Sequence, residues 1–480
     1  MRYCDFTVVN IYFCTNICLM KAMLITILWF LFFNAAYAAP GISWWLTKGD
    51  QSVLLQQQKT IPFDNTSNGG IIITVDTTKK FQWVDGFGYA LTGSSAFLIN
   101  KMDNASKNAL LNELFGSGSG NSIGISYIRL SIGASDLSPS VYFYDDMPSG
   151  QTDPNLDHFD LGKDKEYLIP VLQQIVKINP KIKIIATPWS APAWMKDNNS
   201  GMAGSLKPEY YKVYADYFVK YIQAMQQAGI TIDAITPQNE PKNQSNNPSM
   251  GMTAAQQLAF INNNLYPAFK NAGIKTKIII YDHNCDDVAY PSAILKDQYA
   301  RIHVAGTSFH LYAGNINALS QLHNDFPDRN VYFTEQYTDQ KGDFGGDLRW
   351  HMKNVVTGAM RNWSRNVIEW NLANDPSYGP HTQGGCSICK GALTISGLTV
   401  KRNVSYYIIA HASKFVPAGS QRIWSDNKDN LNTVAFSTPD HCTVLVVEND
   451  GMTDVNFNIR YAENIAACAI PAGSVATYQW

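Results

Sequence analysis

From about residue 84 the chain alternates short apolar runs with longer amphipathic stretches, and this alternation is its most informative pattern. The apolar runs fall at 84–90, 127–132, 182–187, 234–238, 277–281, 306–311, 331–334 and 366–371. Continuous apolar runs of this length are typical of strands buried on both faces. Helical stretches lie between them, at 104–114, 165–178, 208–227 and 253–271. In the third, Pro208 suits a first helical turn, and Tyr210, Tyr214, Tyr217 and Tyr221 recur at three-to-four spacing as a buried face. Eight strands alternating with helices over about 300 residues predict an α/β fold, a (β/α)8 TIM barrel covering residues 83–405.

The rhythm differs at both ends. Residues 39–82 carry Trp44-Trp45-Leu46 and then Ile71-Ile72-Ile73-Thr74-Val75, strand-like runs with no helix between them. Residues 406–480 hold strand-like runs separated by Asn-Asp-Gly and Pro-Ala-Gly turns, the pattern of a β-sandwich. The early strands need partners, so both chain ends are expected to build one all-β sandwich side domain. Upstream, residues 1–38 read as a leader. An apolar run at 23–33 follows Lys21 and ends at Ala36-Tyr37-Ala38, which predicts a signal peptide cleaved near Ala38 and a secreted or periplasmic protein. That run is short for roughly 30 Å of hydrocarbon, so no stable membrane insertion is expected after cleavage.

Composition narrows the function. A hydrophobic fraction of 45% and a charged fraction of 16% describe a globular chain with a large core. A formal net charge of −2 gives no electrostatic basis for binding nucleic acid or an anionic membrane. Past the leader five cysteines remain: Cys285, Cys386, Cys389, Cys442 and Cys468. Cys386-Ser387-Ile388-Cys389 sits in a Gly-rich loop with no second pair at zinc spacing, which favours a small structural disulfide. The nine histidines are scattered, and His283 beside Asp282, Asp286 and Asp287 is the one dense spot. No metal and no cofactor are expected.

Two carboxylates stand out. Glu240 follows the apolar run at 234–238, in Thr236-Pro237-Gln238-Asn239-Glu240-Pro241, and Glu335 ends the run at 331–334. Carboxylates at the C-terminal ends of the fourth and seventh barrel strands project into one bowl, where such barrels place their chemistry. Glycoside hydrolysis needs a pair of this kind, one group protonating the departing oxygen and the other attacking the anomeric carbon or activating water. Asn239 is an amide suited to a sugar hydroxyl beside the anomeric centre, which makes Glu240 the acid/base and Glu335 the nucleophile. Arg129, on the second strand, is placed to pair with the nucleophile and keep it ionised. A carbohydrate-binding protein without catalysis is the alternative of another class, and a paired acid and nucleophile speaks against it.

These motifs resemble glycoside hydrolase family 30, which includes glucosylceramidases. The resemblance rests on Asp85-Gly86-Phe87-Gly88-Tyr89-Ala90, on Arg129-Leu130-Ser131-Ile132-Gly133-Ala134-Ser135-Asp136, on Thr187-Pro188-Trp189-Ser190 and on the Asn239-Glu240-Pro241 motif. It implies a retaining double displacement on a β-glucoside, whether glycolipid or oligosaccharide. It also implies a sugar pocket in which Asp136 and Trp189 bond distal hydroxyls, Asn239 holds the 2-hydroxyl and Trp370 closes the site. Tyr312, and with it His310, would stand beside the nucleophile. Glucosylceramide is the expected substrate, with β-1,6-glucan or a xylan-type chain as the alternative. The loop Gly384-Gly385-Cys386-Ser387-Ile388-Cys389 departs from animal glucosylceramidases and puts the ceramide preference in question.

Overall fold

A computed structural model describes residues 41–117 and 120–480; the expected leader lies outside these residues. Eight parallel strands close into a barrel: Gly86–Ala90, Tyr127–Ser131, Lys183–Thr187, Ala234–Ile235, Lys277–Cys285, Gly306–Gly314, Asn330–Glu335 and Ser364–Asn371. They are called the first to eighth barrel strands below.

Each expected run is present, but the fifth and sixth strands run on past expectation, to Cys285 and Gly314, and the fourth is cut short. The fourth strand stops at Ile235, three residues short of expectation. Pro237 has no N–H to give a ladder, so the backbone leaves the sheet there. The Asn239 N–H instead bonds the Pro188 carbonyl at 2.8 Å. Helices fill the gaps, and Tyr211–Gln227 buries Tyr214, Tyr217 and Tyr221 as the spacing predicts, while Tyr210 is only half-buried, in the 3-10 turn Pro208–Tyr210 that precedes the helix. The helical stretch at 253–271 opens on a capping box between Thr253 and Gln256 and carries a π-turn at Ile261–Leu265.

Inside the barrel, Tyr127, Ile185, Ala234, Ile279, Tyr332 and Ile368 form a small core of their own. Side chains two residues apart on a strand share a face. Arg129, Thr187, Thr236, Thr334 and Trp370 therefore stand one layer above that plug, toward the C-terminal rim. The fifth strand breaks the phase. Its pairing with the sixth shifts between Tyr281 and His283, and both Tyr281 and Asp282 have positive φ, 74° and 64°. This bulge sends Tyr281 to the outer core and Asp282 into the lumen.

The side domain is one ten-stranded sheet with its own core around Ile42, Ile73, Phe457 and Tyr478. Strand Gly41–Lys48 pairs antiparallel with Ser474–Gln479, at the far end of the chain. Strand Ile71–Trp83 pairs with Gln421–Ser425 and Val455–Tyr461. Both chain ends thus build the sandwich. One expectation is corrected here: residues 404–413 form a helix, so the strand-only pattern begins after it. All ten of its residues are buried, and a helix that is apolar all round shows no 3.6-residue period. Its His411 joins the two domains through Thr47 Oγ1 at 2.8 Å and Thr477 Oγ1 at 2.9 Å. Among the described residues no helix is long and apolar enough to cross a membrane.

Candidate active site

The rim of the barrel carries a cavity of about 430 Å³ whose lining includes Asp136, Trp189, Glu240, His283, Tyr312, Glu335 and Trp370. Glu335 is the last residue of the seventh strand. Glu240 lies five residues beyond the fourth, with a positive φ of 42° and its N–H bonded to the Asp282 carbonyl at 3.0 Å. That backbone strain is held by the neighbouring strand and fixes the direction in which the carboxylate leaves the chain.

The two carboxylates meet across His310. His310 Nδ1 is 3.1 Å from Glu240 Oε1 and 3.8 Å from Glu335 Oε1. Those oxygens are therefore at most about 7 Å apart, which admits the spacing of about 5–5.5 Å used for retention and excludes the wider part of the inverting range. Tyr312 donates its hydroxyl to Glu335 Oε1 at 2.9 Å, and Arg129 forms an ion pair with Glu335 Oε2. Arg129 also donates to Asn239 Oδ1 at 2.6 Å. Asn243 donates to Glu240 Oε2 at 2.7 Å.

Beneath the pair sits Asp282, fully buried. It accepts from Arg129 Nη2 at 2.9 Å and from His310 Nε2 at 3.2 Å. Hydroxyls of Thr187, Thr236, Ser308 and Thr334 complete its shell at 2.7–3.1 Å. One acceptor thus orients both the Arg129 guanidinium and the His310 ring. Trp189 and Trp370 stack at 5.3 Å, and Arg129 lies 4.9 Å from the Trp189 ring centre. Asp136 is held by the Cys386 N–H at 3.3 Å. Cys386 is disulfide-bonded to Cys389, so the expected small disulfide braces the loop beside the site.

Electrostatics follow from burial and these contacts. Burial opposes ionisation of Asp282, yet Arg129 and His310 hold it well below the usual carboxylate range. Burial, with Glu335 nearby, pushes Asp136 up to about 7. Burial alone would lower His310, but Glu335, Asp282 and Glu240 raise it to about 9. Glu240 shows the same contest. Burial raises it, and His310, His283 and Asn243 together bring it below its ordinary value. For Glu335 burial prevails over His310 and Arg129, and it lies above its ordinary value. Groups this close titrate as a unit.

The structure brings all nine expected residues, Arg129, Asp136, Trp189, Asn239, Glu240, His310, Tyr312, Glu335 and Trp370, to this one rim. Asp282 and His283 were not among the expected site residues. Asp282 ends an apolar run just as Glu240 does, and the bulge that turns it inward has no signature in a period of two.

The glycosyl hydrolase family 30 TIM-barrel domain matches residues 84–416, and the β-sandwich domain of the same family matches residues 419–478. An endo-1,6-β-D-glucanase of Trichoderma harzianum is 34% identical over 428 residues, 84% of this chain and 85% of that protein. The lysosomal acid glucosylceramidase of Mus musculus is 28% identical over 443 residues, 87% of this chain and 84% of that protein. A solved endo-β1,6-glucanase superposes with a TM-score of 0.85 at 35% identity, covering 92% of this chain and 99% of its own. By the match of both domains, over nearly the whole described length, the chain belongs to glycosyl hydrolase family 30 and is an O-glycosyl hydrolase acting on β-glycosides.

Proposed function

We propose that this protein is a retaining β-1,6-glucanase. The glucosylceramide preference expected from the sequence gives way to the β-1,6-glucan alternative. The observation that carries this is the character of the cavity mouth. Lys242, Asn243, Asn246, Asn284 and Tyr337 line it, and none of the large exposed apolar side chains does. A ceramide tail needs an apolar surface, whereas a polar rim suits further sugar units. The greater similarity to the glucanases than to the mouse glucosylceramidase points the same way.

In the reaction, Glu335 attacks the anomeric carbon while Glu240 protonates the departing oxygen. Arg129 and Tyr312 both hydrogen-bond the ionised form of Glu335 and keep it aimed. Having given its proton to the departing oxygen, Glu240 is left as a carboxylate with His310 Nδ1 at 3.1 Å and Asn243 at 2.7 Å. In the second half the low Glu240 is the right base. It takes a proton from water, the hydroxide oxygen bonds the anomeric carbon, and Glu335 leaves. Asn239, fixed by Arg129, holds the 2-hydroxyl; Asp136, Trp189 and Trp370 hold the rest of the sugar. A polymeric glucan substrate fits an exported enzyme and so supports the signal peptide read from the sequence.

The test is a side-by-side incubation of pure protein with β-1,6-glucan and with glucosylceramide in detergent. Soluble oligosaccharides from the glucan, with little glucose from the lipid, support the proposal. Release from glucosylceramide alone refutes it, and the anomer released first, read by NMR, checks retention.

A further inference from the structure

We infer that Glu240, His283 and His310 form a binding site for a divalent transition-metal ion of the zinc class, and that this ion shuts the enzyme off by replacing the acid proton. The inhibition rests on the hydrolase reading; the binding does not.

The donor atoms of these three residues lie within 4.8 Å of one another. Glu240 Oε1 is 3.1 Å from His310 Nδ1 and 3.8 Å from His283 Nδ1. A tetrahedral zinc ion with bonds of about 2.0–2.1 Å separates its donors by about 3.3–3.4 Å, between those two values. Two imidazoles and a carboxylate are a donor set zinc favours, and Glu335 Oε1, 3.8 Å from His310 Nδ1, or a water in the cavity completes the shell.

Two further observations point to a ligand. His283 Nδ1 is buried and has no hydrogen-bond partner, although a polar atom in that position ordinarily finds one. The second is Asp282, which accepts from His310 Nε2 and so directs Nδ1 at Glu240. A carboxylate bonded to the far nitrogen of a ligating histidine is the usual support for a metal-bound imidazole. A bound ion occupies Glu240 Oε1, where the acid proton would otherwise be carried, and the acid then has nothing to deliver.

Full-length protein is titrated with Co²⁺, read by visible absorption, and with Zn²⁺, read by calorimetry. The expected result is one ion per chain, the strong visible bands of four-coordinate cobalt, and at least about tenfold inhibition by Zn²⁺ that a chelator reverses. His283→Gln weakens Zn²⁺ binding by about 10–100-fold with an unchanged melting temperature. Should that variant fail to fold, Glu240→Gln serves, with the same expected loss of the cobalt spectrum. Unaltered Zn²⁺ affinity in the folded variants, or weak six-coordinate cobalt bands only, overturns the site. Binding that depends on His283 in a protein that hydrolyses no β-glucoside leaves the site standing and removes the hydrolase reading instead.

Discussion

Asp282 is where one atom's change tests most of the site. Asparagine has the same shape but replaces one acceptor oxygen with a donor. Arg129 binds Oδ2 and His310 Nε2 binds Oδ1, so the amide nitrogen must face one of them. The guanidinium has no acceptor and keeps its charge, whereas His310 becomes an acceptor once it sheds its Nε2 proton. In Asp282→Asn the carbonyl therefore turns to Arg129 and the amide to His310, which is forced to carry its proton on Nδ1. The surrounding hydroxyls can rotate to suit either arrangement. Removing one partner of a buried ion pair costs about 3–5 kcal/mol, and because Arg129 keeps Glu335, the lower end, about 3 kcal/mol, is expected. His310 adds a pH signature. Its folded pKa of about 9 lies above the ordinary 6.5, so its contribution is full below pH 6.5 and is lost as pH rises toward 9. The variant removes an anionic partner of His310 and should flatten that alkaline loss. Loosened aim of Arg129 and His310 should also lower kcat/KM by about 10²-fold. Thermal unfolding across this pH window, alongside kinetics on β-1,6-glucan, makes the measurement. An Asp282→Asn protein with wild-type activity and the wild-type alkaline decline would refute the reasoning.

Glu335→Gln should lower kcat on the order of 10⁴-fold with little change in melting temperature, measured with an aryl β-glucoside; near-normal turnover would remove Glu335 from the chemistry. Cys386→Ser with Cys389→Ser frees the loop whose N–H holds Asp136, and should raise KM about tenfold with a smaller effect on kcat. His411 is pushed down to about 3 by burial, so its contribution to stability is present above pH 6.5 and is lost as pH falls toward 3. His411→Gln should lose less stability than the wild type over that interval, as read by thermal melts. Dialysis against a chelator should leave hydrolysis undiminished, and a loss restored by metal would contradict the carboxylate mechanism.

What the sequence shows and what it conceals divide along physical lines. The barrel strands are legible because each is buried on both faces, and Glu240 and Glu335 because a charge at the end of such a run is conspicuous. Trp189 and Trp370 are not distinguishable from core tryptophans by composition; family resemblance and barrel register single them out. Asp282 stays hidden because the bulge at Tyr281 moves it to a face that alternation does not assign to it. His283 draws attention only as part of an acidic cluster, while its proximity to Glu240 comes from two adjoining strands. The helix Val404–Ser413 escapes because every side of it is covered, leaving no polar face to reveal its turn.

The pairing of Gly41–Lys48 with Ser474–Gln479 has a consequence for biosynthesis. On the ribosome the first strand emerges hundreds of residues before its partner, and Ile71–Trp83 likewise precedes Gln421–Ser425 and Val455–Tyr461, which it will bind. The barrel can close while both wait with open edges, and those edges are prone to pair with a neighbouring nascent chain. Truncation of the last few residues is therefore expected to damage yield more than turnover. It would leave a formed catalytic bowl beside a sheet with no closing strand.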